Sequence, residues 1–254
     1  MNVQKEYILT LGKAGKRMDG RAFTEFRPVH VEKNPIEKAE GSARVQIGHT
    51  DIFVGVKLGL ATPFPDKPDE GMLMVGAELS PISCEKFEIG PPKAEAIELA
   101  RVVDRGIREA KTIDMKKLCI TPGEKVWSVS LDLQIINYDG NLIDAYSLAS
   151  VVALANARMP TLEDGKINYE KREGPLPLKA KPIAITVFKM ADGIMFLDPN
   201  REEEEAASAR ITVTTKEDGN VTALQKNGGP LTIDEITQAI QLSVEKGKEF
   251  RKLL

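Results

Sequence analysis

The sequence predicts an α+β fold in which hairpins and sheets are covered on one side by helices, an arrangement made twice along the chain. Three observations carry this expectation. Runs rich in β-formers come in pairs around glycine turns. Two segments of helical length follow the first pairs, one with a single apolar stripe and one apolar nearly all round. Beyond a polar stretch broken by Pro and Gly, the hairpin-then-helix pattern returns.

Residues 1–25 read as an N-terminal lead-in helix, with a turn at Asp19-Gly20. The first half follows over 26–160. Within it, "GSARVQIGHTDIFVGVKLGLA" gives two strands around Gly48, and "MLMVGAELS" gives another. "GPP" at 90–92 announces a helix over Lys93–Lys111, since proline is tolerated in a first turn. Ala96, Leu99, Ala100, Val103, Ile107 and Ala110 form its stripe. A Pro-Gly turn then leads into a long strand, on which Trp127, Val129, Leu131, Leu133 and Ile135 alternate to one face. "LIDAYSLASVVALANA" is the helix expected to be buried against a sheet. Residues 161–180 read as a linker and 181–254 as the second half. There, "IAITVFKM" pairs with "IMFLDP", and a second hairpin turns at Asp218-Gly219. A last helix is capped by Thr232 and Glu235, with Ile236, Ile240 and Val244 on its buried face.

Composition narrows the classes. Of 254 residues, 42% are hydrophobic and 29% charged, which suits a folded chain with a real core. A net charge of −3 gives no bulk attraction to nucleic acid or to an anionic membrane, so any anion binding must be local. The apolar run Leu148–Ala157 is too short to span a bilayer, and the N-terminus lacks a signal-peptide core. Two cysteines, Cys84 and Cys119, sit in strand-like surroundings and suit buried free thiols in a reducing cytosol, hence a cytoplasmic protein.

Several residues invite a chemical reading. The run Glu202–Glu205 follows a strand; such carboxylates could hold a metal or act as general acid and base, and equally could form a solvated turn. Arg101, Arg105 and Arg108 fall within about 60° of one another on a helical wheel, opposite the apolar stripe. Phosphates would offset their mutual repulsion, whereas a solvated face with an Asp104–Arg108 pair would need no ligand. Arg17, Asp19 and Arg21 are expected to fix the N-terminal turn by ion pairs. His30 and His49 lack partners at ligand spacing, so no metal is expected. Gly219, Gly228 and Gly229 read as turn residues rather than a nucleotide loop.

Four blocks in order, "RMDGRAFTEFRPV" (17–29), "GSARVQIGHT" (41–50), "AIELARVVDRGIREA" (96–110) and "LDPNREEEEAASARITV" (197–213), resemble the RNase PH family, and the likeness covers the whole chain. It is strongest to the non-catalytic RNase PH-like subunits of archaeal exosomes. The resemblance implies an RNase PH-like fold of two tandem βαβα-type halves with mixed sheets. It also implies a hexameric ring of three heterodimers with a catalytic RNase PH-like subunit. RNA-binding cap subunits would sit on that ring, and single-stranded RNA would thread its channel, with Arg101 and Arg105 near the RNA path.

Active members attack a phosphodiester with inorganic phosphate, which needs cationic or N–H donors for the phosphate and an acid or metal at the leaving oxygen. The resemblance maps their Gly-Ser/Thr-Arg phosphate loop onto Asn141-Leu142-Ile143, and their helix-start arginine pair onto Ala94 and Glu95. Their aspartate pair falls on Glu204 and Arg210. Every element has changed, so no catalytic residue and no cofactor are expected, and Glu202–Glu205 becomes a solvated turn. The function implied is a scaffold that contacts RNA and activates its partner for 3′-to-5′ RNA degradation. The rivals are a self-sufficient phosphorolytic exoribonuclease and a stand-alone RNA-binding protein.

Overall fold

The alternating runs fold as strands and the 3.6-period runs as helices. In the computed structural model, whose described residues are 3–254, helix α1 spans Val3–Lys13. It ends well short of the expected lead-in helix, and residues 14–28 are turns and loop. Then come β1 (Val29–Lys33), β2 (Gly41–Ile47), β3 (Thr50–Ala61) and β4 (Met72–Glu78). Helix α2 occupies Ala94–Glu109, so the prolines precede its cap at Lys93 instead of entering its first turn. A 3-10 turn at Met115–Leu118 leads to β5 (Cys119–Thr121), β6 (Lys125–Asn137) and α3 (Leu142–Asn156).

The first sheet runs β1-β2-β3-β6-β4, with β5 also paired to β6. All its ladders are antiparallel except β4 against β6, which becomes possible because α2 lies between the two strands in sequence. Period-two alternation on β6 places Val129, Leu131 and Leu133 at the core with no exposure.

The expected linker holds a hairpin, β7 (Arg158–Glu163) with β8 (Lys166–Pro175). Its second strand is almost wholly solvated, so no apolar alternation marks it in the sequence. The second sheet follows as β9 (Ile183–Lys189), β10 (Met195–Leu197), β11 (Ala209–Thr215) and β12 (Val221–Gly228), in the order β10-β9-β11-β12. Helix α4 (Arg201–Ala206) joins β10 to β11, and α5 (Ile233–Arg251) closes the chain.

Helix α3 lies between the two sheets, against β2 and β3 on one side and β9 on the other. That placement explains its uniform apolarity: Leu142 through Leu154 are all buried. Gly41 permits the close approach, since a Cβ there would fall 2.4 Å from the Ala153 carbonyl oxygen. Ser147 Oγ accepts a 2.9 Å bond from the Ala184 N–H, so α3 is also pinned to β9 by a buried polar contact.

Burial on the other helices departs from the expected stripes by small steps. On α2, Val102 is buried and Ala100 only half-buried. The capping box of Thr232 and Glu235 is present on α5. Its fully buried line, however, is Ala239, Ser243, Gly247 and Phe250, with Ile236, Ile240 and Val244 half-buried beside it. Small residues fill the seam because α5 lies close on β9 and β11.

Candidate functional site

A cleft of about 380 Å³ opens where the N-termini of α2 and α3 meet the start of β11 and the end of β12. Five of the positions onto which the resemblance maps active-site residues line it together: Glu95, Leu142, Ile143, Glu204 and Arg210. Asn141 adjoins them through its backbone, while Ala94 faces a neighbouring hollow formed by residues 77–96. Glu98, Tyr138, Ser208 and Asn227, not singled out from sequence, add to its polar lining. Glu98 and Asn227 are 129 residues apart, and only the folding of α2 against β12 joins them.

The first N–H of a helix is a donor for an anion. At α3 that donor is already engaged: the Asn141 N–H gives a 2.9 Å bond to Glu204 Oε2. The Tyr138 hydroxyl donates to the same oxygen at 3.3 Å. Arg210 reaches Glu204 Oε1 at 3.2 Å with one arm and Glu98 Oε2 at 3.0 Å with the other. Asn227 donates to the second Glu98 oxygen at 3.0 Å. Burial, and then the Glu204 charge, push the Tyr138 hydroxyl far above its ordinary pKa, so it stays a donor. The lining therefore holds three carboxylates and one guanidinium, and that guanidinium is shared between two of them. Such a surface repels an incoming phosphate.

The glutamate run is no solvated turn. It forms α4, because Asn200 and Glu203 make a reciprocal capping box. Glu203 is 1% exposed and is paired with Arg17 through Nε at 3.0 Å and a second, shorter contact from Nη2. Glu204 faces the cleft, and Glu205 pairs with Arg201 on the outside.

Behind the cleft, three arginines of the N-terminal segment converge on the second half. Arg17 pairs with Glu203, and Arg21 with both Asp19 and Asp198. Arg27, which the sequence reading passed over, holds Asp198 and Asp139. Its signal was an arginine just before Pro28, at the entry to a strand. Burial raises the pKa of Asp198, but the Arg27 hydrogen bonds and charge outweigh it and hold the carboxyl below its usual range. Asn141 joins the network by donating 2.9 Å to Asp198 and 3.2 Å to Asp144. Full burial, and after it the neighbouring Asp198 charge, push the Asp144 carboxyl well above its ordinary pKa.

The arginines of α2 differ from one another. Arg108 is bound to Asp104 at 2.7 and 3.0 Å and to the Leu73 carbonyl at 3.2 Å. Arg105 gives one bond to Gln225, at 3.2 Å. Arg101 is exposed and makes no hydrogen bond or ion pair among the described residues. Cys84 is buried, though in a turn and not a strand, and Cys119 is only half-buried; both are free. Gly219 and Gly228 have positive φ, as turn residues do, whereas Gly229 does not. Among the described residues, no helix is long and apolar enough to cross a membrane, and no group of three or more His, Cys, Asp or Glu side chains is placed to hold a metal.

Residues 25–160 match domain 1 of the 3′ exoribonuclease family, RNase PH, and residues 181–246 match domain 2. The chain belongs to that family. Among its RNase PH relatives is the exosome complex component Rrp42 of Methanosarcina acetivorans, 47% identical over 99% of this chain and 93% of the other. The protein of the same name from Pyrococcus furiosus is 41% identical over 99% and 92%. A chain from the Archaeoglobus fulgidus exosome with RNA bound to the active site superposes with a TM-score of 0.92 at 41% identity, covering 99% of this chain and 97% of that one. One from an archaeal exosome core gives 0.88 at 39%, covering 99% and 96%. The RNase PH-like α+β fold expected from the sequence is the fold observed.

Proposed function

We propose that this chain is a non-catalytic, RNA-contacting scaffold subunit of an exosome ring. It pairs with a catalytic RNase PH-like subunit, three such pairs close the ring, and RNA-binding cap subunits complete it. Likeness to exosome components over nearly its whole length supports the assembly. The cytoplasmic setting belongs to the same proposal. The observation that carries the absence of catalysis is the Glu204 carboxylate, bound to the α3 N-terminus and to Arg210 where a phosphorolytic enzyme must hold inorganic phosphate. A guanidinium that faces two carboxylates has little attraction left for a third anion.

The role that remains is positional. Arg101 and Arg105 offer cations on an exposed helix face to the phosphates of single-stranded RNA. The test is degradation of a single-stranded RNA with phosphate and magnesium. The isolated chain should release no nucleoside diphosphate, while a mixture with a catalytic RNase PH-like subunit should assemble into a hexamer and degrade RNA. Phosphate-dependent trimming by the isolated chain would establish the self-sufficient enzyme instead.

A further inference from the structure

We propose that Gln225 is a positioning residue for RNA. Its neutral amide holds the Arg105 guanidinium on the flank of α2 without taking up its charge, so the guanidinium stays available to a phosphate of single-stranded RNA. Arg105 Nη1 donates to Gln225 Oε1 at 3.2 Å, across 120 residues of sequence. A guanidinium has five N–H donors, and this is the one bond that the Arg105 side chain makes among the described residues. It forms no ion pair among them.

The fold prepares this contact. On β12, Gln225 lies opposite Thr212 and Asn227 opposite Arg210, and residues two apart share a face. That face meets α2: Asn227 donates to Glu98, and Gln225 accepts from Arg105 about two helical turns further on. Gly106, next to Arg105, lets α2 lie close on β11, since a Cβ there would come within 3.3 Å of Thr214 Oγ1. Gln225 is half-buried and Arg105 exposed, so the acceptor is held by the sheet while the guanidinium faces water. Arg101, also exposed, precedes it by about one turn on the same helix.

Arg108 shows what an acid in place of the amide would do. Two hydrogen bonds from the guanidinium to the Asp104 carboxylate engage its charge within the helix. A carboxylate at position 225 would likewise grip Arg105 more firmly than an amide does, because charge-assisted bonds are the stronger ones. A neutral acceptor instead orients the guanidinium through Nη1 and leaves its net charge, with the Nε and Nη2 edge, for two parallel bonds to a phosphate. This inference rests on the RNA-contacting reading of α2 and extends it to the strand beside that helix.

The experiment is RNA affinity against salt for rings assembled with a catalytic RNase PH-like subunit, using a labelled single-stranded RNA in phosphate-free buffer. Arg105→Ala sets the scale: binding about fivefold weaker at about 0.1 M salt, with a log K that falls less steeply in log salt by about 0.7. Gln225→Glu should match it, since the new carboxylate pairs with Arg105. Gln225→Leu should weaken binding by about threefold with the slope unchanged, because the cation remains but is no longer held. In an Arg105→Ala ring both Gln225 substitutions should be nearly silent. Substitutions of Gln225 that lower Tm and leave RNA affinity unchanged would make it a docking residue for α2 and overturn the proposal. So would a loss on Gln225→Glu of equal size with and without Arg105, which would reduce the effect to net charge. A silent Arg105→Ala would overturn the RNA-contacting reading of α2 and this inference with it, whereas a loss on Arg105→Ala with none on either Gln225 variant overturns the inference alone.

Discussion

Arg27 binds Asp198 three times, through its backbone N–H at 2.8 Å, Nε at 2.9 Å and Nη2 at 2.7 Å. The two residues are 171 positions apart, and Asp198 has no exposure. Their contact closes the N-terminal segment onto the loop that leads into α4, and Asn141 reaches the same carboxylate from the head of α3. One carboxylate thereby sets the relative placement of the three segments that build the cleft.

Removing one partner of such a buried pair strands the other charge. Arg27→Ala or Asp198→Ala is expected to lower unfolding stability by about 3–5 kcal/mol. Denaturant unfolding at pH 7 measures it, and a loss below 1 kcal/mol would show that water solvates the survivor. The pair also gives an acid limb. Because the folded pKa of Asp198 is depressed, its contribution is complete above the unfolded carboxyl value near about 3.9 and is lost as pH falls through the lower folded value.

Asp144 should behave in the opposite sense. Its folded pKa is raised, by burial first and by the neighbouring Asp198 charge as well, so the folded state holds a proton that the unfolded chain gives up. Its contribution is intact below the unfolded carboxyl range and declines as pH rises toward the folded value. Asp144→Asn keeps the shape without the ionisable group, so its stability relative to wild type should rise as pH goes from about 4 to about 8. Unfolding free energies from pH 4 to 8 decide this; a gain that does not change with pH would point to packing alone.

Gly140 is a position that the cleft reserves for glycine. Its φ of 81° is left-handed, and a Cβ would lie 2.5 Å from the Pro199 carbonyl oxygen. Strain of about 1–2 kcal/mol for the backbone combines with about 1–3 for the forced overlap. Gly140→Ala is therefore expected to cost about 2–5 kcal/mol in a denaturant titration, whereas Gly123→Ala, also at positive φ but with open space around it, should cost only the smaller backbone part.

How much of this was legible in the chain follows from the length scale of each cause. The strands of β2, β3 and β6 show in the sequence because one buried face writes a period of two, and α3 because burial on all sides leaves it apolar. The β7–β8 hairpin does not show, since its outer strand buries almost nothing. The family resemblance singled out Asn141 and Glu204 one by one, but not that Glu204 would meet the Asn141 N–H, because a contact across 63 residues leaves no local mark. Read as a charge run, Glu202–Glu205 looks solvated; a capping box and a buried Arg17 turn it into a helix with inner and outer faces.

The arginines of α2 separate RNA contact from structure. Arg108 has an acid, a backbone acceptor and a raised pKa owed first to its Asp104 hydrogen bond. It is occupied by the protein, and Arg108→Ala should affect stability more than RNA. Arg101 is exposed and without such partners among the described residues, and Arg105 has a single bond to an amide. If these two face RNA in the assembled ring, Arg101→Glu with Arg105→Glu should weaken RNA binding and leave assembly intact, because Ala96, Leu99, Val102, Val103 and Ile107 still bury the helix. Substitutions at exposed sites of this kind shift stability by less than about 0.5 kcal/mol. Each lost phosphate contact on a single strand should reduce the salt dependence of log K by about 0.7. The measurement is RNA affinity as a function of salt for wild-type and double-variant rings of equal mass. A lower affinity with a shallower slope assigns the contact to α2. Equal affinity and slope would leave Arg101 and Arg105 as a solvated face and move the RNA contacts of this subunit to another surface.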